Sequence, residues 1–319
     1  MKADFLGAYK RMLSIRVAEE EIAKYYLENK VMSFVHFYVG QEAVAVGVCD
    51  ALTIEDRVMG NHRSHGHYLA KGGNLKRMIC ELLGKEEGSC KGKGGSMHMI
   101  DRSVNFIGST PILGGIVPLA NGSAFEQKYN KKKTVTAVFF GDGAFEEGIV
   151  YETLNLAALW KLPLLLVIEN NLYSVNSKIK DRRSAEHSVE KIVTGFGVKY
   201  VKADGLDYED VFKKAGDLVS ELRMGKGPAV LECVTYRHMA HSAPVFDDAS
   251  GYREEDVLEK RLEKDSIKKL KKQLAETGTS EKEFSRIEKS IRANALECLR
   301  YAVMAKYPAK KSLYTDIYA

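Results

Sequence analysis

The chain is poor in several things that would have named its class at once. Its 319 residues include only five cysteines, six prolines and one tryptophan. Cys49, Cys80, Cys90, Cys233 and Cys298 form no CxxC pair, and an odd number leaves one over in any full pairing. Reduced thiols in a cytoplasmic protein are therefore expected. No apolar run reaches the ~18 residues of a membrane-spanning helix; the longest strong one is Leu162 to Ile168. Asp4, Lys10, Arg11 and Arg16 interrupt the first apolar residues, so no signal-peptide core is expected. An excess of one charge is also missing, since 48 Lys+Arg face 43 Asp+Glu for a net +5. The one basic run, Lys131 to Lys133, sits at an expected turn. A nucleic-acid partner calls for a more continuous basic face, and none is expected. There is no GxGxxG after a first strand and no GxxxxGK(S/T), which argues against a dinucleotide-dependent dehydrogenase and a P-loop phosphotransferase.

What is present is 45% hydrophobic and 29% charged, the balance of a folded globular protein with ample length for a core. Apolar residues at helical spacing predict a long amphipathic helix over 4–28 and a second over 41–52. In the second, Ala43, Ala45 and Gly47 allow close packing, inside the chain or, with the helix near Ala157, against a partner. The stretch 60–115 is rich in Gly, His, Ser and Met and reads as binding loop, apart from a short helix near 74–83. Four β-type runs follow, at 134–140, 163–168, 198–201 and 229–235. Helical segments near 145–160, 184–194 and 208–223 separate them. Continuous apolar strands alternating with helices predict a doubly wound, mostly parallel α/β sheet covered on both faces. Beyond residue 251 the chain turns Glu- and Lys-rich, predicting helices near 254–276 and 280–305. The expected division is an α/β body, 1–251, with N-terminal helices, and a C-terminal helical extension, 252–319.

The chemistry concentrates at Gly141-Asp142-Gly143, between a strand and a helix. At the carboxyl edge of a parallel sheet, a helix start suits a phosphate, and flanking glycines let the backbone approach it. A carboxylate beside phosphates repels them unless it holds a bridging cation, and Mg²⁺ prefers such a set of oxygens. The next strand ends in Glu169-Asn170-Asn171-Leu172-Tyr173, bringing Asn171 to the same edge as Asp142. A strand–helix–strand unit fills the interval of 26 residues between Gly143 and Asn170. Together these features predict a diphosphate–Mg²⁺ site.

Gly-Asp-Gly, ~26 residues and Asn-Asn resemble the thiamine diphosphate-binding motif. Three further segments narrow the resemblance: Lys91-Gly-Lys-Gly-Gly-Ser-Met-His-Met99, His62-Arg-Ser-His-Gly-His67 and Leu154-Asn-Leu-Ala-Ala-Leu-Trp-Lys-Leu-Pro163. The chain resembles the α subunits of the two-subunit 2-oxo acid dehydrogenases, such as pyruvate and acetoin dehydrogenase, from the first helix to Leu313-Tyr-Thr-Asp-Ile-Tyr-Ala319. The resemblance implies the thiamine diphosphate-binding fold, with thiamine diphosphate and Mg²⁺ as cofactors. It implies Asp142, Asn171 and the carbonyl of Tyr173 as metal ligands, and the N–H groups of Gly143 and Ala144 on the diphosphate. His62, Arg63 and His241 would complete the phosphate contacts, Leu113 would meet the aminopyrimidine, and His65, His98 and His241 would line the reaction site.

The resemblance further implies a β subunit that supplies the glutamate missing here, an α2β2 assembly and inactivity of this chain alone. The substrate would be a small 2-oxo acid or acetoin, and a lipoyl acyltransferase would accept the acyl group. A zinc cluster of His62, His65 and His67 is the competing reading, without a matching Cys or carboxylate set. Ser242, phosphorylated in some relatives, reads as an ordinary loop hydroxyl. Pro111-Ile-Leu-Gly-Gly-Ile-Val-Pro118 and residues 243–251 depart from the usual pattern on the substrate side. They leave open a carboligase with an aldehyde or sugar acceptor, or a non-catalytic subunit that keeps the fold.

Overall fold

Alternation along the central strands explains the architecture of the computed structural model, which describes residues 3–242, 244–245, 251–252 and 262–317. In chain order the elements begin with α1 (Phe5–Leu27), α2 (Glu42–Asp50), β1 (Arg57–Gly60), α3 (Ser64–Ala70), α4 (Leu75–Leu82), β2 (Phe106–Ser109) and α5 (Ile116–Tyr129). They continue with β3 (Thr136–Gly141), α6 (Gly148–Leu159), β4 (Leu164–Asn170), the short pair β5 (Tyr173–Ser174) and β6 (Ser177–Lys178), and α7 (Ile179–Arg182). Then come α8 (Val189–Gly195), β7 (Lys199–Asp204), α9 (Tyr208–Arg223), β8 (Ala229–Val234), α10 (Ser266–Glu276) and α11 (Glu281–Met304).

Six strands form one parallel sheet in the order β2-β1-β3-β4-β8-β7. Ala137, Phe139, Leu165 and Val167 point into one core with α1, α2, α4, α9 and α11. Their neighbours Val138, Phe140, Leu164, Leu166 and Ile168 point into a second core with α5, α6 and α8. A strand buried on both faces needs apolar residues in succession, which is why these runs do not alternate with polar ones. The expected doubly wound α/β sheet is present.

The helix starts are chemically marked. Asp4, Asn74, Asp207 and Ser280 each accept a backbone N–H in the first turn of α1, α4, α9 and α11. The small residues of α2 serve the chain's own core: Ala43 and Ala45 are wholly buried, and a Cβ on Gly47 would lie 2.7 Å from Val211 Cγ1. Phe284, Leu299 and Ala302 of α11 share the core of Tyr9 and Met12 on α1. Among the described residues, no helix is long and apolar enough to cross a membrane.

The stretch 60–115 departs from expectation. It holds β2 and α3 as well as the expected α4, β1 ends at its first residue, and α5 follows it at once. β1 and β2, with four residues each, are too short to show a period. In α5, Pro118 occupies the first turn, where its missing N–H costs nothing. The helix expected over 254–276 is interrupted: a turn at 263–264 leads to Asp265, which caps α10 from Ser266, while 254–261 and most of 243–251 lie outside the described residues.

Candidate active site

The chain runs from β1 outward to β2 and then returns past β1 to β3. The sheet order therefore reverses between β1 and β3, and ligands of open parallel sheets bind beyond the strand ends at such a point. The carboxyl end of β1 leads into Asn61-His62-Arg63, and that of β3 into Asp142-Gly143. Because Gly141 pairs with Glu169 in the β3–β4 register, Asp142 and Asn170-Asn171 leave the sheet side by side.

Asp142 is 1% exposed, and burial pushes its pKa up while Arg182 and Arg183 oppose that rise. Arg182 donates to its carboxylate, and Arg183 Nη2 donates to its backbone carbonyl at 2.7 Å. Glu146 accepts from both arginines, with Arg183 Nε at 2.6 Å. A guanidinium thus lies where the acid set would hold a cation. Gly143 is needed for close approach, since a Cβ there would meet Ser174 Oγ at 2.4 Å. The turn that follows differs from the expected helix start: Ala144–Glu146 is a single 3-10 turn, and α6 begins at Gly148. Glu147 Oε1 accepts the Gly114 N–H at 3.0 Å, tying the half-buried Leu113 turn to this corner.

Asn171 donates from Nδ2 to Gln41 Oε1 at 3.0 Å and accepts the Tyr173 N–H at 3.2 Å. Between them Leu172 has a φ of 72°, a left-handed backbone that a branched side chain rarely adopts. Such outliers persist where the surroundings hold them. Here the holding contacts are those of the Asn170-Asn171 pair, since Asn170 Oδ1 accepts the Leu172 N–H at 3.1 Å. Tyr173 packs edge-on against Tyr252.

On the β1 side, Arg63 is 3% exposed and donates to the carbonyls of Phe37 at 2.8 Å and His241 at 2.9 Å. Its Nη2 also stands 3.1 Å from His241 Nδ1. His62 is buried with its ring centroid 4.6 Å from that of His36 and 5.3 Å from that of His241. Neither ring nitrogen of His62 has a hydrogen-bond partner among the described residues. Arg237, 1% exposed, comes within 3.5 Å of His241 Nδ1 and donates to the Val175 carbonyl at 3.3 Å.

Ligand nitrogens of His36, His62 and His241 all fall within 4.8 Å of one another, a spacing open to a metal ion. The two guanidiniums decide otherwise, because a cation there would be repelled and an anion attracted. Burial first, and then Arg63, lowers the pKa of all three histidines, to about 3 for His36 and His241. Uncharged imidazoles, with His62 unpaired at both nitrogens and His36 at Nδ1 among the described residues, fit a diphosphate beside two buried guanidiniums. The acid-and-amide corner beyond β3 and β4 fits a divalent cation.

Two expected members stand apart. His65 is wholly buried, with Nδ1 3.0 Å from Glu19 Oε1 and Nε2 2.8 Å from Ser96 Oγ. It joins α1 to the glycine-rich loop and does not join the His36–His62–His241 group. His98 is exposed on that loop, 3.1 Å from the Gly94 carbonyl. The zinc reading of His62, His65 and His67 falls with this, because His67 turns to Glu169 at 2.9 Å. Residues that sequence reasoning passed over are His36, Gln41, Arg237, Arg182 and Arg183. Arg237 was within reach, lying beside the noted His241, whereas the 36–41 segment carries no motif that marks it.

The dehydrogenase E1 component family model matches residues 9–311. The pyruvate dehydrogenase E1 component subunit alpha of Rhizobium meliloti (strain 1021) is 39% identical over 318 residues, 99% of this chain and 90% of that one. The alpha subunits of acetoin:2,6-dichlorophenolindophenol oxidoreductase from Bacillus subtilis (strain 168) and Cupriavidus necator are each 38% identical, over 98% and 99% of this chain and 93% and 95% of theirs. Matched over nearly its whole length and carrying the strand-end constellation just described, the chain belongs to the dehydrogenase E1 component family.

Proposed function

We propose that this chain is the α subunit of a thiamine diphosphate-dependent dehydrogenase acting on pyruvate or acetoin with a β subunit. One observation supports the reading: a cluster of guanidiniums and uncharged imidazoles includes residues that follow β1, an acid-and-amide cluster follows β3 and β4, and the sheet order reverses between β1 and β3. Arg63, Arg237, His62 and His241 would hold the diphosphate. Asp142, Asn171 and the Tyr173 carbonyl would hold Mg²⁺, with the N–H groups of Gly143 and Ala144 on the phosphates and Leu113 beside the aminopyrimidine. When bound, the thiazolium ring supplies the nucleophilic carbon and the electron sink for cleavage next to a carbonyl.

The chain's own residues anchor, orient and exclude water. Guanidinium contacts would fix the tail, and the buried walls would strengthen each charge interaction. His36, an uncharged imidazole beside the seat, can accept a proton once an anion offsets Arg63. The acyl acceptor in this proposal is a lipoyl acyltransferase. Apolar groups left at the surface, among them Leu119, Tyr129, Leu159 and Trp160, support a subunit partner. The division at 251/252 is part of the same reading, with α10 and α11 as an extension that packs on α1 instead of forming a separate core.

The test is reduction of dichlorophenolindophenol with pyruvate or acetoin, by this chain alone and with its β subunit. Turnover is expected only for the pair, and only with thiamine diphosphate and Mg²⁺. Robust turnover by the chain alone, or none by the loaded pair with either substrate, contradicts the proposal.

A further inference from the structure

Glu169 immediately precedes the Asn170-Asn171 pair in β4, and its side chain is 1% exposed. Its carboxylate accepts from the Tyr38 hydroxyl, from His67 Nε2 at 2.9 Å and from Asn61 Nδ2 at 3.0 Å. Each donor comes from a segment that also carries part of the site. Tyr38 lies between His36 and Gln41, and Gln41 in turn bonds Asn171. Asn61 precedes His62 and Arg63, and its Oδ1 accepts the Arg63 N–H at 2.7 Å. His67 stands on α3, which starts directly after Arg63.

We propose that Glu169 is a positioning residue that fixes the His62-Arg63 turn relative to the Asn171 strand tip. The inference deepens the functional reading above and rests on it. An ionised carboxylate is an acceptor only, with room for several donors, and a buried one is strongly unfavourable unless they are supplied. Asn61 is therefore held at both ends of its amide, one end on Glu169 and the other on the backbone N–H that begins the Arg63 turn. Strand alternation puts Glu169 on the face of Leu165 and Val167, where the 36–41 segment and α3 also pack. A single acceptor thus sets the spacing between the anion seat and the cation seat. Glutamine at this position would present an NH₂ group to one of three donors and release the turn.

The test is calorimetric titration with inorganic pyrophosphate in the presence of Mg²⁺, on the full chain with its β subunit. Wild type, Glu169→Gln, Arg63→Ala and the double variant are compared. Glu169→Gln is expected to weaken pyrophosphate binding about 10- to 100-fold. In the Arg63→Ala background it should add less than about twofold, because its effect runs through that arginine. Equal losses in both backgrounds, the pattern of a merely structural role, overturn the inference, as does no loss in either. If Glu169→Gln does not fold, Asn61→Ala breaks the same path while the carboxylate keeps Tyr38 and His67, and it is read in the same way. A wild-type assembly that binds no pyrophosphate overturns the functional reading itself, so the two failures are told apart.

Discussion

The two halves of the site handle charge in opposite ways. At the β3–β4 corner, Asp142 and Glu146 are already matched by Arg182 and Arg183. On the β1 side, Arg63 and Arg237 stand among three histidines that burial and those same guanidiniums keep uncharged. A divalent cation entering the first half must displace a tethered one. An anion entering the second meets rings that carry no charge of their own. The comparison teaches that anion binding and cation binding should answer differently to loss of an arginine, although in the proposal both seats serve one ligand.

The largest expected effect breaks the anion half. Arg63→Ala removes a buried charged donor, and such truncations cost about 2–5 kcal/mol, or roughly 30- to several-thousand-fold in affinity. Calorimetry should find this loss for thiamine diphosphate and almost none for thiamine, which lacks the tail. Equal losses for both would assign Arg63 to general stability. The opposite sign is expected in the cation half. Arg182→Ala frees the Asp142 carboxylate and should tighten Mg²⁺-dependent cofactor uptake by about three- to tenfold, a gain of about 1 kcal/mol. Weaker uptake would mean that Arg182 keeps a place in the loaded site.

A smaller effect concerns pH. His36 and His241 have folded pKa values near 3, against 6.5 in the unfolded chain. Below 6.5 the unfolded chain takes up protons that the folded one refuses, so stability falls as pH drops from 6.5 towards 3. The thermal midpoint of the cofactor-free protein should decline from pH 7 to pH 5, and His241→Asn should flatten that decline. Diphosphate binding places negative charge beside the rings and raises their pKa values. Binding near pH 6 is therefore expected with net proton uptake, seen as a buffer-dependent heat.

The same division marks what could be read from sequence. The proposed cation half lies in two contiguous motifs on consecutive core strands, and the sequence places Asp142, Gly143 and Asn171 at one sheet edge because a single helix and strand fill the interval between them. The anion half draws on 36–41, 61–63 and 237–241, which only the folded sheet brings together. Arg63 and His241 were legible through resemblance to the family, while His36 and Gln41 were not, since nothing local distinguishes them from core residues. His65 was named as a lining residue through the same resemblance. Helical spacing places its Nδ1 beside Glu19 and apart from the His36–His62–His241 group. Likewise β1 and β2 were hidden by their length of four residues, whereas β3 and β4 declared themselves by continuous apolar runs.

The central claim is that one divalent ion joins the tips of β3 and β4 and thereby holds the cofactor's tail. Its most direct measurement is the affinity for thiamine diphosphate with and without Mg²⁺, in the wild type and in an Asp142→Ala, Asn171→Ala double variant. Wild-type affinity should rise steeply with Mg²⁺, and the double variant should show one weak affinity indifferent to it. A double variant whose affinity still climbs with Mg²⁺ as the wild type's does would contradict the account.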